Sequence, residues 1–113
     1  MAEFSIDAGA LNRRVRIEKK TLATDAYGDE AQGVWSEVAT VWGQVTPASA
    51  REFWEAQAAH GELTHKITIR YRRDISAEMR CIVEGRVLEL AAPPVDYGDR
   101  HQYLVLKCRE VTT

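Results

Sequence analysis

The fold of this chain is decided by residues 65–72, which read His-Lys-Ile-Thr-Ile-Arg-Tyr-Arg and alternate between apolar and polar side chains. Because a period of two places every second residue on the same face of an extended chain, the stretch predicts a half-buried β-strand. Similar β-rich runs occur elsewhere in the chain, at residues 14–21, 35–46, 79–83, 86–90 and 102–111. The pattern therefore predicts six strands.

The second run contains two irregular points. Val38 and Ala39 are adjacent apolar residues that interrupt the alternation, which predicts a β-bulge or a bend. Gly43 has no side chain, so another backbone can approach it closely, and Pro47 ends the run. Later in the chain, Glu84-Gly85 lies between two short runs and predicts a tight hairpin.

Between the second and third strands the period changes to that of a helix. Ser49 and Glu52 have the spacing of a capping box, and Gly61 is placed to end the helix. Ala50, Phe53, Trp54, Gln57 and Ala58 recur at the spacing of one helix face, which gives a narrow apolar stripe. We predict one short helix over about 49–60, with Phe53 and Trp54 as the large side chains of its apolar stripe.

Six strands in 113 residues leave few possible architectures. A flat open sheet would expose one face and two edges, whereas closure into a barrel removes the edges. We therefore predict a mainly β fold in a single domain spanning 1–113: a small six-stranded β-barrel with one short α-helix in a long loop between strands 2 and 3. The predicted interior consists of Val15, Ile17, Val41, Val45, Ile67, Ile69, Cys81, Val83, Leu88, Leu90, Leu104 and Leu106.

The overall charge limits the possible partners. Fifteen basic and 17 acidic side chains give a formal net charge of −2, so attraction to a phosphate backbone cannot dominate binding. No apolar run approaches the roughly 20 residues of a membrane helix, so no membrane partner is expected. The first residues lack the features of a secretory signal, and we expect the chain to fold in a cytoplasm.

The charges are unevenly distributed along the chain. Residues 21–61 contain one basic and six acidic side chains, whereas residues 62–73 contain four basic ones and one acidic one. Such asymmetry can let identical subunits attract one another side by side. The alternative is that both segments are simply solvated faces.

Residues that carry chemistry are sparse. Cys81 and Cys108 lie on the apolar faces of two runs and are predicted to be small buried hydrophobic residues. His60, His65 and His101 match no zinc-binding spacing, and no nucleophile, phosphate-loop or metalloprotease motif occurs. We therefore predict no catalytic, cofactor-binding or metal-binding residues, and no enzyme.

Several motifs occur in an order that matches a known family. They are residues 8–15, 25–29 leading to Trp35, 38–45, 51–53, 64–72 with 74–75, 79–80 before 85–86, and 103–108. Over almost the whole chain they resemble the bacteriophage head-tail joining proteins, also called head-completion, adaptor or stopper proteins of long-tailed phages and prophages.

The resemblance implies a small β-barrel assembled as a ring at the portal vertex, which closes the DNA-filled head and docks the tail. The implied partners are copies of the chain itself, the portal or adaptor protein, and a tail terminator or tail-tube protein. Packaged DNA would pass through the lumen without sequence-specific binding. The protein would be located in the virion at the head-tail interface after assembly in the host cytoplasm, although the isolated chain can still be a monomer.

Two kinds of side chain are candidates for the assembly contacts. They are the aromatic pair on the helix and the nearby basic residues: Phe53, Trp54, Arg51, Lys66, Arg70 and Arg72. Phe53 and Trp54 either anchor in a pocket of a partner or cap the open end of the barrel. Both interpretations remain open at this point.

Two other functions are compatible with a small barrel. An oligonucleotide-binding barrel could use Arg70, Tyr71, Arg72, Arg73 and the tryptophans as basic and stacking groups. Strand alternation, however, predicts that Tyr71 lies on the face opposite Arg70 and Arg72, so the two kinds of group would not share a surface. The third candidate is a tail-terminating or capsid-associated protein of the same virion.

Overall fold

The computed structural model describes residues 8–21, 33–59 and 63–111, and its regular elements follow the predicted order closely. A 3-10 turn at Ala8–Ala10 precedes the first strand, and another at Tyr97–Asp99 precedes the last. The strands and the helix are β1 (Arg13–Thr21), β2 (Val34–Pro47), α1 (Ala50–Ala59), β3 (His65–Arg70), β4 (Arg80–Val83), β5 (Arg86–Leu90), β6 (Val95–Asp96) and β7 (Tyr103–Val111).

Six of the strands close into an antiparallel barrel. Starting from β1, the order around the barrel is β1-β2-β3-β7-β5-β4, and β4 pairs with β1 to complete the circle. The predicted mainly β fold, with one short helix between strands 2 and 3, is confirmed. The two-residue strand β6 was not predicted, and it pairs with β7 beyond the end of β5.

The bulge in β2 lies where the sequence predicts it. Ile17 of β1 pairs with Ala39 of β2, but the next residue, Glu18, pairs with Glu37. Val38 is therefore the extra residue on β2. A bulge at this point bends the long strand and increases its twist, which helps β2 to curve around the barrel.

Glycines are required at two places in the barrel. A Cβ atom built on Gly43 would lie 2.9 Å from Cγ2 of Val15 and 3.1 Å from Cγ2 of Ile69, so the predicted close approach is confirmed. At the turn between β4 and β5, Glu84 and Gly85 have φ values of 51° and 79°. Positive φ at both central residues is the geometry of a type I′ hairpin, which confirms the predicted turn.

The barrel interior matches the predicted core. Ten of the 12 predicted interior residues are buried in the core, and the other two, Val41 and Val45, are half-buried and pack against it. Cys81 and Cys108 are both buried, as expected, and neither forms a disulfide. In β1, β3, β4, β5 and β7, the apolar residues of the alternating pattern therefore point into the barrel, as predicted.

The helix begins with the predicted capping box. The backbone amide of Glu52 donates to Oγ of Ser49 over 3.2 Å, and the amide of Ser49 donates to Oε1 of Glu52 over 3.3 Å. Gly61, which is predicted to end the helix, lies outside the described residues. Within the described part of the chain, no helix is long and apolar enough to cross a membrane.

Candidate assembly surfaces

Helix α1 is tied to the barrel at its first turn. The backbone amide of Ala48 donates to the carbonyl of Thr64 over 2.9 Å, and Nζ of Lys66 on β3 lies 2.9 Å from Oε2 of Glu52. No described side chain of the helix belongs to the barrel core. The described contacts that position the helix are therefore polar contacts at its start.

The two aromatic residues of α1 have different environments. Phe53 is half-buried, whereas the Trp54 side chain is 70% exposed. Their ring centroids are 5.5 Å apart with an interplanar angle of 79°, an edge-to-face arrangement. A ring that capped the barrel would be covered by it, and Trp54 is not covered by the described residues.

The other candidate on the helix, Arg51, extends into solvent. Its side chain is 89% exposed and its Nε lies 3.0 Å from Oε1 of Glu55, one turn further along. Such an exposed pair contributes little to stability, since water screens both charges. Arg51 is therefore accessible to a partner next to Trp54.

Lys66 forms its ion pair within the chain. Burial by itself raises the pKa of Glu52, but hydrogen bonds from Lys66 and Ser49 outweigh that effect and lower the pKa. The sequence predicts that the acidic and basic segments pair between neighbouring subunits. At this point the structure pairs them inside one subunit, and Lys66 holds the helix against β3.

Arg70 and Arg72 lie at the opposite end of β3 from Lys66, at a cleft of about 390 Å³ that we call the Arg70 cleft. Its lining includes Arg14, Trp42, Arg70, Tyr71 and Arg72. A second depression of about 410 Å³ shares Arg70 and Tyr71 and continues towards β7. The candidate residues thus form two separate surfaces, one at α1 and one at the Arg70 cleft.

The prediction that Tyr71 and its basic neighbours do not share a surface is wrong. Strand β3 ends at Arg70, so strand alternation no longer governs the two residues that follow. Tyr71 packs against the core, as its place in the pattern suggests, but it also lines the cleft together with Arg70 and Arg72. An aromatic and basic surface therefore exists at this end of the barrel.

The arginines of the cleft differ in their partners. Arg72 holds Asp74 through two hydrogen bonds, of 2.9 Å from Nε to Oδ1 and 2.7 Å from Nη2 to Oδ2. These bonds raise the pKa of Arg72 and lower the pKa of Asp74. The guanidinium carbon of Arg14 lies 4.6 Å from the centroid of the Trp42 ring, a cation–π contact.

Arg14 was not predicted as a site residue, and Trp42 was considered only as one of the tryptophans of the oligonucleotide-binding alternative. They lie far apart in sequence but are direct partners across β1 and β2. The signal that could have found them is the hairpin register, which the alternation alone leaves undetermined because of the bulge. The sequence also did not show that Trp42 remains 53% exposed beside that arginine.

A buried acidic residue on the outside of the barrel is another feature that the pattern did not reveal. Glu18 is 7% exposed and accepts hydrogen bonds of 2.9 Å from Nε of Arg16 and from Nε of Arg80. The guanidinium of Arg80 also lies 4.1 Å from the centroid of the Trp35 ring. The cluster links β1, β2 and β4, and the Glu18 carboxylate is satisfied by the two arginines within the chain.

The described residues do not assemble a recognisable catalytic arrangement. None of their His, Cys, Asp and Glu side chains form a group of three or more that could hold a metal ion. Nδ1 of His101 lies 3.0 Å from Oδ2 of Asp96, and its ring lies 4.7 Å from the Tyr71 ring. This pair sits at the rim of the second depression without an adjacent Ser or Cys nucleophile.

A closed barrel with an outlying aromatic helix and a cationic cleft defines a small β-barrel assembly protein. Residues 6–111 match the family described as phage head completion protein, and the chain belongs to this family. The match covers nearly the whole chain and confirms the resemblance drawn from the sequence. The chain is thus a structural, virion-associated protein of the head-tail connection, and it assembles with other virion components.

Two solved structures described below have folds similar to that of this chain. The solution structure of protein SF1141 from Shigella flexneri 2a has a TM-score of 0.78 and 31% sequence identity, covering 93% of this chain and 96% of that one. A chain in the virion of a native gene transfer agent particle has a TM-score of 0.62 and 19% identity, covering 90% and 96%. At 19% identity the second likeness shows the fold alone. A comparison with curated proteins found no match.

Proposed function

We propose that this chain acts as one domain that forms a ring at the portal vertex, closing the DNA-filled head and joining it to the tail. In this role it contacts neighbouring copies of itself, the portal or adaptor protein on one side, and a tail terminator or tail-tube protein on the other. The role is structural and not catalytic. Assembly takes place in the bacterial cytoplasm, and the isolated chain is a monomer until a preformed layer templates the ring.

The observation that carries this proposal is the position of Trp54. Its side chain is 70% exposed on a helix that is attached to the barrel but contributes no described side chain to the core. Tryptophan is enriched among the residues that dominate interface energies, because it buries a large apolar area with few rotatable bonds. Covering the exposed part of this ring would contribute about 2–4 kcal/mol per subunit.

The ring geometry suits a contact of this kind. A head-to-tail contact between identical subunits closes into a ring when the rotation between neighbours is right, and every subunit then contributes the same anchor. Such repetition allows modest contacts to add up to a stable layer. Phe53 supports the Trp54 ring from the side by its edge-to-face contact, and Arg51 offers a charge next to it.

The net charge suits the lumen of such a ring. With a formal charge of −2, the chain has no overall attraction for the phosphate backbone. DNA can therefore move through the ring during packaging and ejection without being retained. We expect no sequence-specific DNA binding by the protein.

The test is a Trp54→Ser variant, alone and combined with Phe53→Ser, compared with Val34→Ser as control. Val34 is also an exposed apolar residue, at 65%, but it lies on β2 away from the helix. We expect all three proteins to fold, and Trp54→Ser and Val34→Ser to melt within a few degrees of the wild type, since these two sites are exposed and contribute little to folding. In particle assembly, the helix variants should give filled heads that lose their DNA or do not accept tails, whereas Val34→Ser should give normal particles.

Two outcomes would contradict the proposal. Normal yields of infectious particles with Trp54→Ser would exclude the helix as an assembly anchor. Closed, filled heads accompanied by free tails of abnormal length would instead identify a tail terminator. Electron microscopy of the particles together with the infectious titre separates these results.

A further inference from the structure

The Arg70 cleft is lined by three arginines, of which only Arg72 has a described carboxylate partner. Several other arginines each pair with a carboxylate of their own, as in Arg13–Glu84, Arg51–Glu55 and Arg86–Glu110, and Arg16 and Arg80 share the carboxylate of Glu18. Arg14 and Arg70 have no acidic partner among the described residues, and both line the same cleft. Two guanidinium groups facing one concavity repel each other, so the cleft favours an anionic occupant.

The cleft also contains aromatic surface of a suitable kind. Trp42 is held beneath Arg14 by the cation–π contact and remains 53% exposed, and Tyr71 lines the same space. An arginine stacked on an aromatic ring keeps its planar fork oriented, so less rotational freedom is lost when it binds a carboxylate. The cleft thus combines two oriented cations with two ring surfaces that can pack against alkyl groups.

We propose that the Arg70 cleft docks an acidic peptide segment of a neighbouring protein, with its carboxylates on Arg14 and Arg70 and its alkyl groups over Trp42 and Tyr71. The proposal rests on the proposed function only in taking that neighbour to be a virion protein. A volume of about 390 Å³ fits a few side chains of such a segment.

Charge in and around the cleft favours a peptide over a nucleic acid strand. Asp74 neutralises Arg72 at the cleft wall, so only Arg14 and Arg70 are left to meet an anion. Strong binding of a nucleic acid requires several neutralised phosphates along a track, and the net charge of −2 provides no long-range attraction. Carboxylates spaced along an extended peptide require only those two cations.

The experiment is an NMR titration of the full-length, ¹⁵N-labelled protein with an acetylated hexaglutamate peptide. Hexaglutamine and a single-stranded oligothymidylate serve as the comparison probes. We expect hexaglutamate to shift the indole N–H of Trp42 and the amide of Tyr71, and hexaglutamine to shift neither. Arg70→Gln and Arg14→Gln should each weaken the binding about tenfold, because each removes one charge-assisted hydrogen bond.

Arg109→Gln is the matched control. Arg109 is also exposed and has no acidic partner among the described residues, but it lies on β7 outside the cleft. It should bind hexaglutamate like the wild type. Because all three positions are exposed, the variants should keep the dispersed spectrum of the folded protein.

Either of two results would overturn the proposal. One is hexaglutamate binding that Arg14→Gln and Arg70→Gln leave unchanged. The other is tighter binding of oligothymidylate than of hexaglutamate at the same residues, which would make the cleft a nucleic-acid site. Since the titration uses the isolated chain, its failure is distinct from a failure of the Trp54 particle experiment.

Discussion

Replacing Gly43 by alanine tests the tightest packing point of the barrel. Gly43 is buried on β2 between the strands on either side of it. The new Cβ would lie 2.9 Å from Cγ2 of Val15, 3.1 Å from Cγ2 of Ile69 and 3.1 Å from the carbonyl oxygen of Thr68. Ordinary carbon contacts are about 3.5–4.0 Å, so the flanking strands have to move apart.

The expected cost follows from two opposing effects. Forcing one methyl group into a packed core costs about 1–3 kcal/mol. Alanine also restricts the unfolded chain, which returns about 0.4–1 kcal/mol where the backbone conformation suits it. At about 2.1 cal/mol/K per residue of unfolding entropy, a chain of 113 residues loses about 4 °C in Tm per kcal/mol. With about 0.7 kcal/mol returned, the net loss is about 0.3–2.3 kcal/mol, so we expect Gly43→Ala to lower Tm by about 1–10 °C.

Gly33→Ala is the control for this measurement. The three atoms nearest to a Cβ at Gly33 all belong to the exposed, flexible side chain of Lys20, which can move aside. Its Tm should stay at the wild-type value or rise slightly. A second check is the double variant with Val15→Ala, which should lose less than the sum of the two single losses because it makes room for the new methyl group.

Thermal and urea unfolding, followed by circular dichroism and tryptophan fluorescence, measure these stabilities. An unchanged m-value would show that the two native states are equally compact. If Gly43→Ala melted with the wild type and Gly33→Ala did too, the close approach of β1, β2 and β3 at this point would be refuted.

The remaining predictions concern titration and thiol reactivity. Hydrogen bonds from their arginine partners lower the pKa of Asp74 and of Glu110. These pairs therefore contribute their full stability above the unfolded-state pKa, and this stability is lost as pH falls through the folded-state pKa. Tm should therefore fall between about pH 5 and pH 3, less steeply in an Asp74→Asn/Glu110→Gln variant, and equal slopes would contradict this. A hydrogen bond with Cys81 and burial raise the pKa of Cys108, and both cysteines are buried. A disulfide reagent should therefore label neither cysteine in the native protein and both after denaturation. Rapid labelling of the native protein would show that the barrel is open.

Local periodicity was sufficient to predict most of the framework. In β1, β3, β4, β5 and β7, strand alternation places apolar residues on the face that points into the barrel. Burial of these side chains stabilises the closed arrangement of the strands. The capping box of Ser49 and Glu52 and the Glu84-Gly85 turn depend on only a few adjacent residues, so their chemistry is visible in the sequence. The order of these elements was also enough to indicate the family.

The tertiary structure decided which side chains share a surface. Arg14 and Trp42 meet because a bulge sets the register of two long strands, and Arg70 joins them because β3 ends at that residue. The alternation correctly placed Tyr71 against the core, but it could not show that Tyr71 also lines the cleft with Arg70 and Arg72, because β3 ends at Arg70. Lys66 forms an ion pair with Glu52 of its own chain because the start of the helix lies against β3. Periodicity determined which residues are buried in the barrel. Only the closed barrel determined which exposed residues are neighbours, because pairing between distant strands brings together positions that no local pattern relates.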